Sequence, residues 1–195
     1  MILSIITPVF NGERFVARIR NNILPQLDND VEWIIIDDSS TDHTKEMLEN
    51  LKSLNRGKNI RVITQQNLGT GHARNSGIKC SHGEWLLFVD IDDLLTQNAV
   101  TQIKEFISMD THGQADIIYT GKILGDENGK VIKYEYPERF IRFGMPKIEF
   151  WSSLYSSDFV KNNPYVIFPE YRVQDIETAF RFRAFNLAKT IIKTK

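Results

Sequence analysis

The sequence predicts an α/β fold, with a mostly parallel central sheet flanked by helices and a smaller C-terminal region. Three observations point there. Runs such as Ile2 to Val9 and Val31 to Ile36 are apolar almost throughout, so they need cover on both faces. Segments with helical periodicity separate such runs, as in successive βαβ units. Polar clusters recur just past the strands, at Asn11, Asp37-Asp38, Asn67 and Asp90-Ile91-Asp92-Asp93. Parallel sheets bind ligands at those carboxyl ends.

The elements follow in order. Ile2 to Val9 is β-branched and closes at Asn11-Gly12. Phe15, Ile19, Ile23 and Leu27 then repeat every four residues, one face of a helix. A second strand over 31–36 ends in Asp37-Asp38-Ser39-Ser40. Thr41 or Asp42 caps a helix with Met47, Leu48, Leu51 and Leu54 turned inward. A short strand over 59–64, a helix over 71–79, a strand over 84–89, a helix marked by Val100, Ile103, Phe106 and Ile107, and a strand over 115–120 complete the first part. Beyond residue 120 the pattern reads as a hairpin turning near Asp126 to Gly129, then short helices within 146–163 and a long final helix over 174–192. The whole chain, 1–195, reads as one domain.

Composition narrows the function. There are 24 basic and 25 acidic residues in 195, a net charge of -1. A polyanion-binding chain would be more basic, so nucleic acid is not the expected partner. The single cysteine, Cys80, cannot form an internal disulfide, which suits a cytoplasmic protein. The apolar start lacks a basic region and cleavage site, so it reads as a core strand.

The chemistry rests on a few residues. In extended chain Asp90 and Asp92 point the same way. Carboxylates so close repel unless they share a cation or proton, and Mg2+ or Mn2+ suits one or two carboxylates plus ligand phosphates. The alternative is an acidic helix N-terminus, with Asp92 and Asp93 before the next helix. Asp37-Asp38 is either a turn and cap cluster or an acceptor for a nucleobase imide or ribose hydroxyl. "QNLGTGHARNSG" partly matches a dinucleotide fingerprint, but Arg74 stands where the third glycine belongs and the segment does not follow the first strand. A glycine-rich entry that lets backbone approach a nucleotide fits better. Arg74 is then a partner for phosphate or for an acidic residue, or else a surface arginine. His72 reads as a helix-surface residue, and Trp151 and Tyr155, four apart on an expected helix, read as core.

Four segments in order, "SIITPVFNGERFV", "WIIIDDSSTDHT", "QNLGTGHARNSGI" and "GEWLLFVDIDD", resemble glycosyltransferase family 2, of the GT-A fold. "VDIDD" matches the family's DxD position. A looser stretch, "FWSSLYSSDFVKNN" with "FPEYRVQDIETAF", is similar to the acceptor half of bacterial capsule, lipo-oligosaccharide and O-antigen sugar transferases. The resemblance implies a nucleotide-sugar half over 1–110 and an acceptor half over 111–195, the latter short against relatives. It implies that Pro8 and Phe10 line a nucleobase pocket, that Asp38 binds the uracil edge and that Asp90 contacts ribose. Asn11, Asn67, Gly69 and Arg74 would complete nucleotide-sugar binding, and Asp92 would hold Mn2+ or Mg2+. Asp175 matches the catalytic base of a Glu-Asp pair, although Gln174 replaces the glutamate. Glu170 and Glu177 are alternative bases.

The implied reaction is inverting transfer from a nucleotide-diphosphate sugar, UDP-linked by default, to a glycan or lipid-linked acceptor in surface polysaccharide synthesis. Residues 178–195 carry five basic side chains and no acid, so this helix is a candidate for peripheral contact with an anionic membrane or a helix whose cations complement its dipole. Two other readings compete. One is a non-catalytic nucleotide-sugar-binding module. The other is a haloacid-dehalogenase-type phosphatase, suggested by "LLFVDIDDLL". That class normally opens on this strand, however, and carries Thr or Val where Leu94 stands.

Overall fold

The computed structural model describes residues 1–110, 113–120, 122–125, 131–135, 152–170 and 176–193. The first part alternates β1 (Leu3–Val9), α1 (Glu13–Ile23), β2 (Val31–Asp37), α2 (Thr44–Leu54), β3 (Ile60–Thr64), α3 (Thr70–Cys80), β4 (Trp85–Phe88) and α4 (Ala99–Met109). Then come β5 (Ile117–Tyr119), β6 (Lys122–Gly125), β7 (Val131–Glu135), β8 (Ser153–Ser156), α5 (Ser157–Asn162), α6 (Ile176–Leu187) and β9 (Ile191–Lys193). A seven-stranded sheet has the order β3-β2-β1-β4-β8-β5-β9. β1 pairs in parallel with β2 and β4, and β2 with β3, while β8 runs antiparallel to β4 and β5.

Every residue of β1 and β2 is buried, because helices cover both faces. On one side Leu3, Ile5, Trp33 and Ile35 pack with Val16 and Ile19 of α1, Leu48 of α2 and Val100 of α4. On the other, Ile6, Leu86 and Phe88 pack with Ile78 of α3, Phe159 of α5 and Phe180 of α6. Phe88, Tyr155, Phe168 and Phe180 form an aromatic cluster, with Phe168 and Phe180 stacked at 4.0 Å. The chain winds from β1 out to β3, then returns to place β4 on the other side of β1. That reversal makes the carboxyl ends of β1 and β4 the topological switch point, where such sheets open a crevice.

The second half departs from several expectations. Ser153–Ser156, expected as helix, is the antiparallel strand β8, and the fully buried Tyr155 confirms its core role within a strand. The final helix stops at Leu187. Asp116 accepts hydrogen bonds from the backbone of Lys189 and Thr190 at 2.6 and 3.1 Å, turning the chain so that Ile191–Lys193 pairs in parallel with β5. Earlier, Leu54 lies at the end of α2 and is 80% exposed, not inward. Phe15 is half-buried beneath the guanidinium groups of Arg14 and Arg18, at 4.4 and 5.5 Å. The N-cap of α2 is His43, not Thr41 or Asp42, though Asp42 just before it accepts from Thr44 N at 3.0 Å. The expected hairpin is present as antiparallel β6 and β7; its turn, Trp151, Gln174 and Asp175 lie outside the described residues.

Candidate active site

A cleft of about 380 Å3 opens at the switch point. The end of β1 supplies Pro8, Val9 and Phe10, and the end of β2 supplies Asp38. Thr70, Ala73 and Arg74 come from α3, Asp90, Ile91 and Asp92 follow β4, and Glu177 comes from α6. Six of the sequence-based candidates, Pro8, Phe10, Asp38, Arg74, Asp90 and Asp92, therefore share one wall-to-wall space. Pro8 is buried and the Phe10 side chain is half-exposed, offering a flat apolar surface to the cleft.

Asp38 is buried and organises the loop that leads to α3. Its Oδ1 accepts from Gln65 Nε2 at 2.8 Å and Leu68 N at 3.0 Å, and its Oδ2 accepts from Gly69 N at 2.7 Å. Gly69 has φ +96, a conformation in which a Cβ would be strained, so glycine is needed where the chain enters α3. Gly69 supports the cleft through Asp38 and is not on its wall. Asn11 and Asn67 are exposed and also lie off the wall. Asn11 instead ties the loop after β1 to the loop after β2, its Oδ1 accepting from Thr41 N at 2.7 Å. Asp37 is fully buried in the same turn, where its Oδ1 accepts from Ser40 N.

Arg74 is buried, at 1% exposed, so it is no surface arginine. Its Nη2 donates to both oxygens of Asp90, at 2.8 and 3.0 Å, and its Nη1 donates to Glu177 Oε1 at 3.0 Å. His72, expected on the helix surface, lies with Nε2 at 3.0 Å from the Glu170 carbonyl oxygen.

Asp90 to Asp93 form a turn closed by Asp93 N donating to Asp90 O at 3.0 Å, rather than extended chain. Arg18 of α1, which sequence reasoning did not single out, donates to the Asp92 carbonyl and steadies this turn. The following helix begins only at Ala99, so Asp92 and Asp93 do not belong to its first turn and the helix dipole does not account for them. Burial pushes the Asp93 carboxyl up to about 6, and the charges of Asp90 and Asp92 push in the same direction. Among the described residues no group of three or more His, Cys, Asp or Glu converges as a metal cage. A Mg2+ or Mn2+ site needs no such cage, since one or two carboxylates and ligand phosphates suffice. Asp92, exposed on the cleft beside a carboxyl that feels excess negative charge, fits that donor set.

The family model for "Glycosyl transferase family 2" matches residues 4–168. This chain belongs to glycosyltransferase family 2. It is 34% identical over 120 residues to the uncharacterised glycosyltransferase EpsJ of Bacillus subtilis, covering 62% of this chain and 33% of that protein. It is 29% identical over 205 residues to a poly(ribitol-phosphate) beta-glucosyltransferase of Bacillus spizizenii, covering 98% of this chain and 30% of that protein. Its fold is similar to the crystal structure of S. aureus TarS 1-349, with a TM-score of 0.80 and 26% identity over 100% of this chain and 58% of that one. TarS 1-349 in complex with UDP-GlcNAc matches at TM-score 0.76 and 25% identity. The family 2 domain therefore has the GT-A fold, and the phosphatase reading of "LLFVDIDDLL" is set aside. The chain spans about a third of the length of these two curated relatives.

Proposed function

We propose that this family 2 domain transfers a sugar, with inversion, from a UDP-linked donor to a glycan or lipid-linked acceptor of the surface-polysaccharide kind. The observation that carries the reading is the cleft at the β1/β4 switch point, which brings Phe10, Asp38, Asp90 and Asp92 together with Glu177 of α6. The UDP-GlcNAc complex of TarS favours a UDP-sugar as donor, and the glucosyltransferase relative is in keeping with a hexose-type sugar.

In this reading the Phe10 ring and Pro8 give the nucleobase an apolar face to stack on. Asp38, with its loop already fixed, presents the rim where the base edge sits. Asp90, neutralised by Arg74, takes the ribose. Asp92 would hold Mn2+ or Mg2+, which when bound stabilises the charge that develops on the leaving diphosphate. Asp175 accepts the proton of the acceptor hydroxyl as that oxygen bonds to the anomeric carbon. The bond from the anomeric carbon to the diphosphate oxygen breaks, and its electron pair leaves with the phosphate. A single displacement from the opposite face inverts the centre. Asp175→Asn is expected to lower transfer by about 10²–10⁴-fold while UDP binding, followed by calorimetry, stays intact. Wild-type transfer by that variant overturns the base assignment.

The basic stretch 178–195 would bring the domain to an anionic, cytoplasmic membrane face. α6 turns Phe180 and Ala184 into the core and leaves Phe182 and Leu187 exposed. No described helix is long and apolar enough to cross a membrane. Co-sedimentation with anionic liposomes tests the contact, and its absence there removes it.

A further inference from the structure

Helix α3 fastens the acceptor-side segment to the donor half. At Gly71 an added Cβ would lie 2.4 Å from the Pro169 carbonyl oxygen, so glycine permits a close backbone approach. The Asn75 side chain donates to Phe168 O at 2.9 Å, accepts from Phe168 N at 3.0 Å and donates to Glu170 Oε1 at 3.1 Å. His72 meets the Glu170 carbonyl one turn earlier. Between these contacts runs Arg74. Its guanidinium carbon lies 5.2 Å from the Phe168 ring centroid, one terminal nitrogen holds Asp90, and the other holds Glu177.

A guanidinium is planar and rigid, so partners on its two nitrogens are held at a fixed separation. One partner, Asp90, closes the donor side of the cleft after β4. The other, Glu177, lies in the first turn of α6, two residues after Asp175. We propose that Glu177 is a positioning residue: through Arg74 it registers the start of α6, and the base that precedes it, against the donor carboxylate Asp90. This rests on the transferase reading above. The Glu177 side chain is 40% exposed. The side chain of its partner Arg74 is 2% exposed, so loss of Glu177 has a stability cost, limited because Arg74 keeps Asp90 on its other terminal nitrogen. Misplacing a reacting group by about 1 Å, in contrast, costs about 10²-fold in rate. The proposal therefore expects a loss of rate well beyond the loss of stability, and it leaves Glu177 as an anchor, not the base.

The test uses the full chain with Mn2+, following UDP release from UDP-GlcNAc and UDP-glucose, UDP affinity by calorimetry, melting temperature, and amide hydrogen exchange over 176–187. E177Q is expected to lower kcat by about 10²-fold while UDP affinity stays within about threefold and the melting temperature falls only modestly. Its amides at the start of α6 should exchange faster, and E177D should recover part of the rate. R74K, which cannot hold two partners through one planar group, should lower kcat at least as much. The double variant R74K/E177Q should be no slower than R74K, because both changes break one connection.

Wild-type kcat in E177Q, losses that multiply in the double variant, or UDP affinity falling in step with kcat each overturn the proposal. Loss in D175N with wild-type E177Q leaves the transferase reading standing and removes only the positioning role. Activity in D175N with loss in E177Q removes the base reading and the positioning of that base together. If wild-type protein turns over neither donor, the exchange experiment decides: unchanged exchange at the start of α6 in E177Q and R74K overturns the connection.

Discussion

At the scale of single residues, the site works by giving similar carboxylates different neighbours. Asp38 spends its oxygens on Gln65, Leu68 and Gly69, Asp90 faces the Arg74 guanidinium, and Asp92 stays exposed on the cleft. Of these three, Asp92 is therefore the one placed to take a hard cation without first losing a protein partner. Asp92→Asn is expected to abolish the gain in UDP affinity that Mn2+ confers in calorimetric titration; an undiminished gain would show that the ion is held elsewhere. Asp38→Ala removes the acceptor for two backbone N–H groups and one amide. An unsatisfied donor of this kind costs about 1–3 kcal/mol, so the variant should melt lower and bind UDP more weakly, since its loop no longer shapes the rim. A lower melting temperature with unchanged UDP affinity would separate the loop from the binding site. Asp38, Asp90 and Asp92 were legible because each follows an apolar strand. Arg74 was legible as a partner for an acidic residue, but its burial was not, because a helical Arg can equally read as exposed until Glu177 and Phe168, more than ninety residues away, close over it.

At the scale of elements, helices press on the sheet closely enough that side-chain size sets the spacing. A Cβ at Gly77 of α3 would lie 2.4 Å from Ile6 Cγ2 in β1. Gly77→Ala is therefore expected to cost about 1–3 kcal/mol from overpacking. For a domain of this size that lowers Tm by about 2–4 °C per kcal/mol, measurable by thermal unfolding. An unchanged Tm would mean that Ile6 yields freely. The elements of the βα half were legible because their apolar runs were long and their periods distinct. The antiparallel strand β8 and the last strand β9 were not. Each is three or four residues long, and a short apolar run has no period that separates strand from helix. β8 exists because β4 and β5 offer it hydrogen bonds on both sides, and β9 because Asp116 turns the chain onto the free edge of β5.

At the scale of the whole molecule, the sheet has two unlike ends. The carboxyl end holds the cleft; the amino end is pinned by a buried carboxylate. Glu32 is 1% exposed, accepts from Ser4 Oγ and His82 N at 2.6 Å each, and lies 3.5 Å from Arg61. Burial pushes its carboxyl up, but the hydrogen bonds from Ser4 and His82, with the nearby His82 and Arg61, outweigh that and leave it below its ordinary 4.5. A carboxyl held lower in the folded state adds stability above the unfolded value, and that stability is lost as pH falls through the folded one. Wild-type protein should therefore lose stability on acidification below about pH 4.5, while Glu32→Gln should be weaker at neutral pH and flatter in acid. Denaturant midpoints across pH check this, and parallel wild-type and variant curves would rule out the linkage.

The sequence by itself determined the α/β class, the alternation of the first four strands and their helices along the chain, and the polar strand ends, because hydrophobic periodicity and turn chemistry are local. Its motifs also marked out the family. Only the tertiary structure decided that Asp90 and Asp92 lie in a turn, that Asn11 and Asn67 stand off the wall, that Arg74 is buried between Asp90 and Glu177, and that β8 and β9 are strands. Those outcomes depend on contacts between residues far apart in the chain, whose energies no local pattern carries.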